Sequence, residues 1–214
     1  MKRSITIPST LGEITLETYQ RFVAIEEPTN EQLVSIFCQI SLQDVLELPT
    51  KVYDRALEVL TNTLSQIGSE QRLFPKVTIN KRTFGMIPNL DEISYGENKD
   101  LTTYLQQWDT MHLAMSVLYR PIVKTSNDTY SIEKYKGTKE YRDAISQMPL
   151  DKVLGAQLFF WTLTRDLLRA IPSYLERVVG HEEVATLLQT TKENGEVMMS
   201  SIASLKETLD DLMK

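Results

Sequence analysis

Apolar residues recur along this chain at the spacing of short amphipathic helices, interrupted in the middle third by period-two alternation. Leu16, Tyr19, Phe22, Val23 and Ile25 form one stripe, with Thr15 placed to cap it, Thr18 at the third position and Pro28 to end it. Thr29 or Asn30 starts the next helix, whose stripe is Leu33, Ile36, Phe37 and Ile40. A short third helix begins at Ser41-Leu42-Gln43-Asp44 and ends at Pro49. Val52, Ala56, Leu57, Val59, Leu60, Leu64 and Ile67 mark a long fourth helix stopped near Gly68. Ahead of these, Ile5 and Ile7 predict a short strand over residues 4–8. The N-terminal third therefore reads as a small helical bundle with an initial strand.

The pattern then changes period. Val77, Ile79, Phe84, Met86 and Ile87 surround the turn-prone Asn80-Lys81, which predicts a hairpin. Asn89, Asp91 or Ser94 can cap a helix carrying Leu101, Tyr104, Leu105 and Trp108. Met111, Met115, Leu118 and Tyr119 continue the spacing until Pro121, so helix is expected to about Arg120. Ile122-Val123 and Tyr130-Ser131-Ile132 flank the polar Thr125-Ser126-Asn127-Asp128, a second hairpin. A helix is expected over 138–148. A further helix starts at Pro149-Leu150, apolar nearly all round through Leu168, where Gly155 and Ala156 permit close packing. Pro172 interrupts it, and an amphipathic turn or two runs on to Gly180.

The last stretch differs in kind. Leu188, Thr191, Gly195, Met198, Ile202, Leu205, Leu209 and Leu212 alternate spacings of three and four, the seam of a coiled coil or of a helix laid in a groove. Thr191 and Gly195 are its faults, and Asn194-Gly195 is also a natural helix stop. Such a seam packs on its own chain, self-associates or docks on a different partner. The last two readings place Leu188, Met198, Ile202, Leu205, Leu209 and Leu212 at an interface. The fold class expected is mainly α, within α+β: a helical bundle with two small hairpins over residues 1–180 and a C-terminal amphipathic appendage over 181–214.

With 42% apolar residues in 214, the chain can bury a core, and a charged fraction of 24% argues against wholesale disorder. A net charge of -6 disfavours coating nucleic acid by phosphate neutralisation. Six Lys or Arg stand against three Asp or Glu between Arg120 and Arg142, a run that reads first as a solvated face. The single cysteine, Cys38, precludes an intrachain disulfide and lies among apolar residues as a small hydrophobe. With no apolar leader after Met1-Lys2-Arg3, it fits a reducing compartment. The apolar run Val153–Leu163 is about half the ~20 residues of a membrane helix, so no membrane span is expected.

Candidate chemistry is sparse. Asp109 and His112, at i and i+3, would share a helix face and could orient an imidazole or supply two metal ligands, but a site needs three or four. Asp91, Glu92, Glu97 and Asp100 suit a helix first turn, where acids complement the dipole, as well as an acid-base pair. Trp108, Trp161, Phe159, Phe160, Tyr104 and Tyr119 fall at helical rather than base-stacking spacings. No nucleophile elbow, phosphate loop or dinucleotide fingerprint occurs. The expectation is a protein without enzymatic activity, cofactor or metal.

Four blocks carry a resemblance: Ile87-Pro88-Asn89-Leu90-Asp91-Glu92-Ile93-Ser94-Tyr95-Gly96-Glu97, Leu118-Tyr119-Arg120-Pro121-Ile122, Tyr130-Ser131-Ile132-Glu133, and Met148-Pro149-Leu150-Asp151 with Leu154-Gly155-Ala156. The chain resembles, over about residues 84–160, a sparsely characterised family encoded among virion and assembly genes of tailed bacteriophages, including crAss-like phages. The resemblance implies a structural or packaged virion component near the portal or tail or inside the particle. Its partners would be other virion or assembly proteins or further copies of itself, in the virion or the host cytoplasm during assembly. The alternatives are a tail-assembly chaperone and a small metal-dependent hydrolase using Asp109 and His112.

Overall fold

Hydroxyl side chains start four of the eight described α-helices. The computed structural model describes residues 5–68, 72–126, 129–160 and 162. Within them, α1 (Leu16–Val23) begins where Thr15 Oγ1 accepts the Thr18 N–H at 3.2 Å. A reciprocal Thr29/Gln32 capping box opens α2 (Asn30–Cys38), satisfying two N–H groups the helix start leaves unpaired. Ser41 caps α3 (Leu42–Leu46), and α4 (Thr50–Leu64) starts directly after Pro49. Leu33, Val34, Phe37, Leu60 and Leu64 form the heart of one apolar cluster, with the Phe22 and Phe37 rings 5.1 Å apart.

Of the strand expected over 4–8, the described residues 5–8 are irregular, as is Ser9. Ile5 and Ile7 instead lie against this helical cluster, and Thr63 Oγ1, already bonded to the Val59 carbonyl at 2.8 Å, approaches the Pro8 carbonyl at 3.4 Å. Alternation alone does not make a strand where the neighbouring surface is helical and offers no edge to pair with.

The first hairpin forms where expected. β1 (Lys76–Ile79) and β2 (Arg82–Met86) join through Asn80 at φ 49° and Lys81 at φ 67°, the left-handed pair of a two-residue turn whose twist matches the strands. Val77, Ile79, Phe84 and Met86 are buried on one face. Of the three candidate caps, Ser94 is the one used, in a capping box with Glu97 that opens α5 (Tyr95–Tyr104). A turn containing Trp108 leads into α6 (Met111–Leu118).

Here the structure corrects the sequence. Helix was expected as far as Arg120, with Pro121 as its stop, but α6 ends at Leu118 and Pro121 lies inside β3 (Tyr119–Ser126). Proline is tolerated there because its carbonyl accepts the Glu133 N–H at 3.0 Å. An extended residue points its N–H to the same side, so the missing donor faces β4 (Thr129–Ile132), where the register shifts between Ile122 and Lys124. β3 also pairs with β2, matching Gly85 to Arg120 and Phe84 to Pro121. The two hairpins are thus one antiparallel sheet, ordered β1-β2-β3-β4.

The helix expected over 138–148 shrinks to α7 (Arg142–Ile145). The residues before it follow Gly137, at φ 95°, and are tied down by side chains: the Tyr141 hydroxyl donates to Glu133 and Glu140. Next, α8 spans residues 150–160 and starts against α1. Leu16 N–H donates to the Met148 carbonyl at 2.9 Å and Leu150 N–H to the Ile14 carbonyl at 2.8 Å. Leu150 and Leu154 belong to the helical cluster, Val153 and Ala156 to the second, under the sheet, so α8 joins the two. A Cβ at Gly155 would stand 2.1 Å from the Arg72 carbonyl oxygen; only glycine admits that backbone approach. Trp108 packs on both clusters, edge-on to Tyr19 at 4.7 Å. The 1–180 boundary, the Pro172 break and the 181–214 appendage lie outside the described residues.

Candidate functional site

The interface positions proposed from the C-terminal seam, Leu188, Met198, Ile202, Leu205, Leu209 and Leu212, lie outside the described residues, so each candidate with a geometry is in the middle of the chain. Asp109 and His112 do not share a helix face. Asp109 precedes α6 in an exposed turn, whereas His112 is in its first turn. Gln20 of α1 decides what His112 does: its Nε2 donates to the Trp108 carbonyl at 2.5 Å and the Asp109 carbonyl at 3.0 Å, and faces His112 Nδ1 at 3.1 Å. Partial burial and the nearby Arg142 hold the imidazole below its usual pKa, which keeps it neutral near pH 7. It fastens α6 to α1. Among the described residues, no group of three or more His, Cys, Asp or Glu is placed to hold a metal ion. Cys38 is buried, and burial pushes its thiol up to about 11, leaving little thiolate for nucleophilic chemistry.

The acidic run is more informative. Glu97 and Arg120 are each 7% exposed, and Arg120 Nη1 lies 2.5 Å from Glu97 Oε1, an ion pair not aligned as a hydrogen bond. The other carboxylate oxygen, Oε2, accepts from Ser94 N–H at 2.8 Å and Ser94 Oγ at 2.6 Å. One carboxylate therefore completes a helix cap and neutralises a guanidinium. Burial by itself raises the Glu97 pKa, but Ser94 and Arg120 together outweigh it and hold the carboxyl below its ordinary value. Tyr135 lies over the guanidinium at 5.6 Å and donates its hydroxyl to Asp100, covering the pair from the segment after β4.

No protein-family model matches the chain, and neither does any curated protein or solved structure with which it was compared. What the geometry adds concerns the sequence blocks singled out above, because they meet in space. Glu97 of the first block reaches Arg120 of the second, and Ile87 N–H donates to the Leu118 carbonyl at 2.9 Å. Ile122 of the second pairs with Ile132 of the third. Tyr130, also of the third, lays its ring across Gly85, within 2.4 Å of where a Cβ would stand, and donates its hydroxyl to the Met86 carbonyl at 2.9 Å. The fourth joins α8 to α1 through Met148 and Leu150.

Sequence reasoning read Glu97 as a helix-dipole acid or a member of an acid-base pair and placed Arg120 at a helix end. Nothing in a single chain connects positions 23 residues apart; the one available signal was Ser94-x-x-Glu97, which marks the cap but not the cation beyond it. Among the described residues, exposed large apolar side chains are few: Tyr95 is 82% exposed at the start of α5, Leu46 78% and Leu42 47% on α3, Val123 60% on β3, and Leu158 37% on α8. Among the described residues, no helix is long and apolar enough to cross a membrane.

Proposed function

We propose that this chain is a non-enzymatic structural or packaged component of a tailed bacteriophage particle, portal- or tail-associated or internal, that works through protein–protein contacts in the virion or, during assembly, in the host cytoplasm. The observation that carries the reading is that the blocks resembling phage virion and assembly proteins are the junctions of this fold. Glu97–Arg120 locks α5 to the sheet, Tyr130 covers Gly85, and Met148–Leu150 ties α8 to α1. Residues that could serve catalysis hold elements together instead: Glu97 as cap and counter-charge, His112 through Gln20, Cys38 as core. This geometry favours a scaffold over a hydrolase built on Asp109 and His112. The C-terminal seam is the segment assigned to other virion proteins, docking through Ile202 and Leu205.

Mass spectrometry of purified particles, compared with the lysate of the same infection, tests the proposal. Recovery at a fixed ratio to the major structural proteins supports it, and Ile202→Asp with Leu205→Asp lowers that ratio several-fold while the chain still folds. Recovery from lysate alone refutes it and supports the tail-assembly chaperone, a role for which the exposed Leu42 and Leu46 would serve.

A further inference from the structure

Merging the two hairpins into one sheet pools charge that the sequence distributes over two distant stretches. Residues 72–88 and 119–142 together carry ten Lys or Arg against three Asp or Glu. Arg120 is buried against Glu97 and Arg82 is paired with Glu133 at 2.8 Å, but Lys76, Lys81, Lys124, Lys134, Lys136 and Lys139 are all exposed on the sheet and the segment that follows it. Residues 5–68, the helical unit, carry three Lys or Arg against nine Asp or Glu. The sheet strands and the segment after them are therefore basic and the bundle acidic, with residues 89–118, packed beneath the sheet, carrying one Lys against five Asp or Glu, inside a chain whose net charge is only -6.

Each pole also exposes apolar side chains. On the bundle, Leu42 and Leu46 stand at i and i+4 on α3 with the acidic Glu47 beside them. On the sheet, Val123, the extra residue at the β3 register shift, is exposed next to Lys124. An apolar centre with charges of one sign around it, facing its complement on the other pole, is the composition of a protein interface.

We infer that the basic sheet surface around Val123 and Lys124 of one copy docks on the acidic helical surface around Leu42, Leu46 and Glu47 of a second copy. The contact is head-to-tail, so each bound copy still presents one free pole of each sign, and association continues into a ring or filament instead of stopping at a dimer. A bipolar molecule favours this partner over nucleic acid, since its acidic pole repels phosphate while matching the basic pole of its neighbour. The interface belongs to the isolated chain and does not depend on the particle reading.

Light scattering across a concentration series at low and high salt tests it, on nuclease-treated protein. The expected result is a mass that climbs past the dimer at low salt and falls back several-fold at high salt, because exposed ion pairs are screened. Ile202→Asp with Leu205→Asp in the full chain leaves that behaviour unchanged. Lys124→Glu and Glu47→Lys each weaken assembly several-fold alone, and mixing the two variants restores it, since each supplies the charge the other has lost. Restoration also shows that both variants are folded. A monomer at every concentration, an oligomer indifferent to both variants, failure of the mixture to reassemble, loss of assembly on nuclease treatment, or loss in the Ile202→Asp/Leu205→Asp chain would each overturn the inference.

Discussion

Removing the Glu97 carboxylate is the sharpest test of how this fold is joined. In Glu97→Ala, two Ser94 hydrogen bonds are lost, at 2.6 and 2.8 Å, while Ser94 Oγ still accepts the residue-97 N–H, and losing this half of the capping box costs about 1 kcal/mol. The larger effect is on Arg120, whose charge is left buried without its counter-ion 2.5 Å away; breaking a buried pair on one side costs about 3–5 kcal/mol. The sum is about 4–6 kcal/mol, a large part of the 5–15 kcal/mol that holds a typical domain together. Arg120→Met is milder, about 1–3 kcal/mol, because Glu97 keeps both Ser94 donors and the positive end of α5. The double variant is then less destabilised than the two singles combined, and no worse than Glu97→Ala alone, since methionine has no charge to strand. Urea denaturation of the four proteins, with midpoints and slopes, closes the cycle. Additive losses, or a Glu97→Ala cost below about 1 kcal/mol, would refute the assignment of the pair as a buried junction.

The same carboxylate sets an acid limit. Its folded pKa lies below the ordinary 4.5, so its contribution is complete above that value and is lost as pH falls through 4.5 toward the folded pKa. The gap in urea midpoint between the natural protein and Glu97→Gln should accordingly narrow from pH 7 to pH 3.5, and a constant gap would contradict this. Gly155→Ala gains up to about 1 kcal/mol of helix propensity but forces a methyl into the Arg72 carbonyl, for a net loss of about 2 kcal/mol by thermal unfolding. Lys81→Gly relieves the left-handed strain of the β1–β2 turn and should raise stability by about 0.5–1 kcal/mol in the same assay. Alkylation of Cys38 at pH 8 should run about a hundredfold slower in native protein than in urea, two pK units being a hundredfold in thiolate; equal rates would place the thiol at the surface.

Local rules carried the bundle and the first turn. Thr15, Thr29, Ser41 and Ser94 act where their hydroxyls can reach an N–H three residues on, and Asn80-Lys81 sits between alternating apolar residues. These interactions close within a few residues, so the order of residues alone specifies them. The same holds for the apolar stripes and for the glycine at 155, which announced close packing without naming its neighbour. Tertiary structure decided what those local pieces could not see. Pro121 entered a strand because its missing N–H faces Glu133, just past the end of β4 at Ile132. Residues 5–8 stayed irregular because helices border them. Residues 138–141 became a tether because Tyr141 finds Glu133, and Glu97 became a junction because the β2–β3 pairing delivers Arg120 to it. Each of these depends on a partner distant in sequence, and it was that pairing that gathered cations from two stretches onto one sheet.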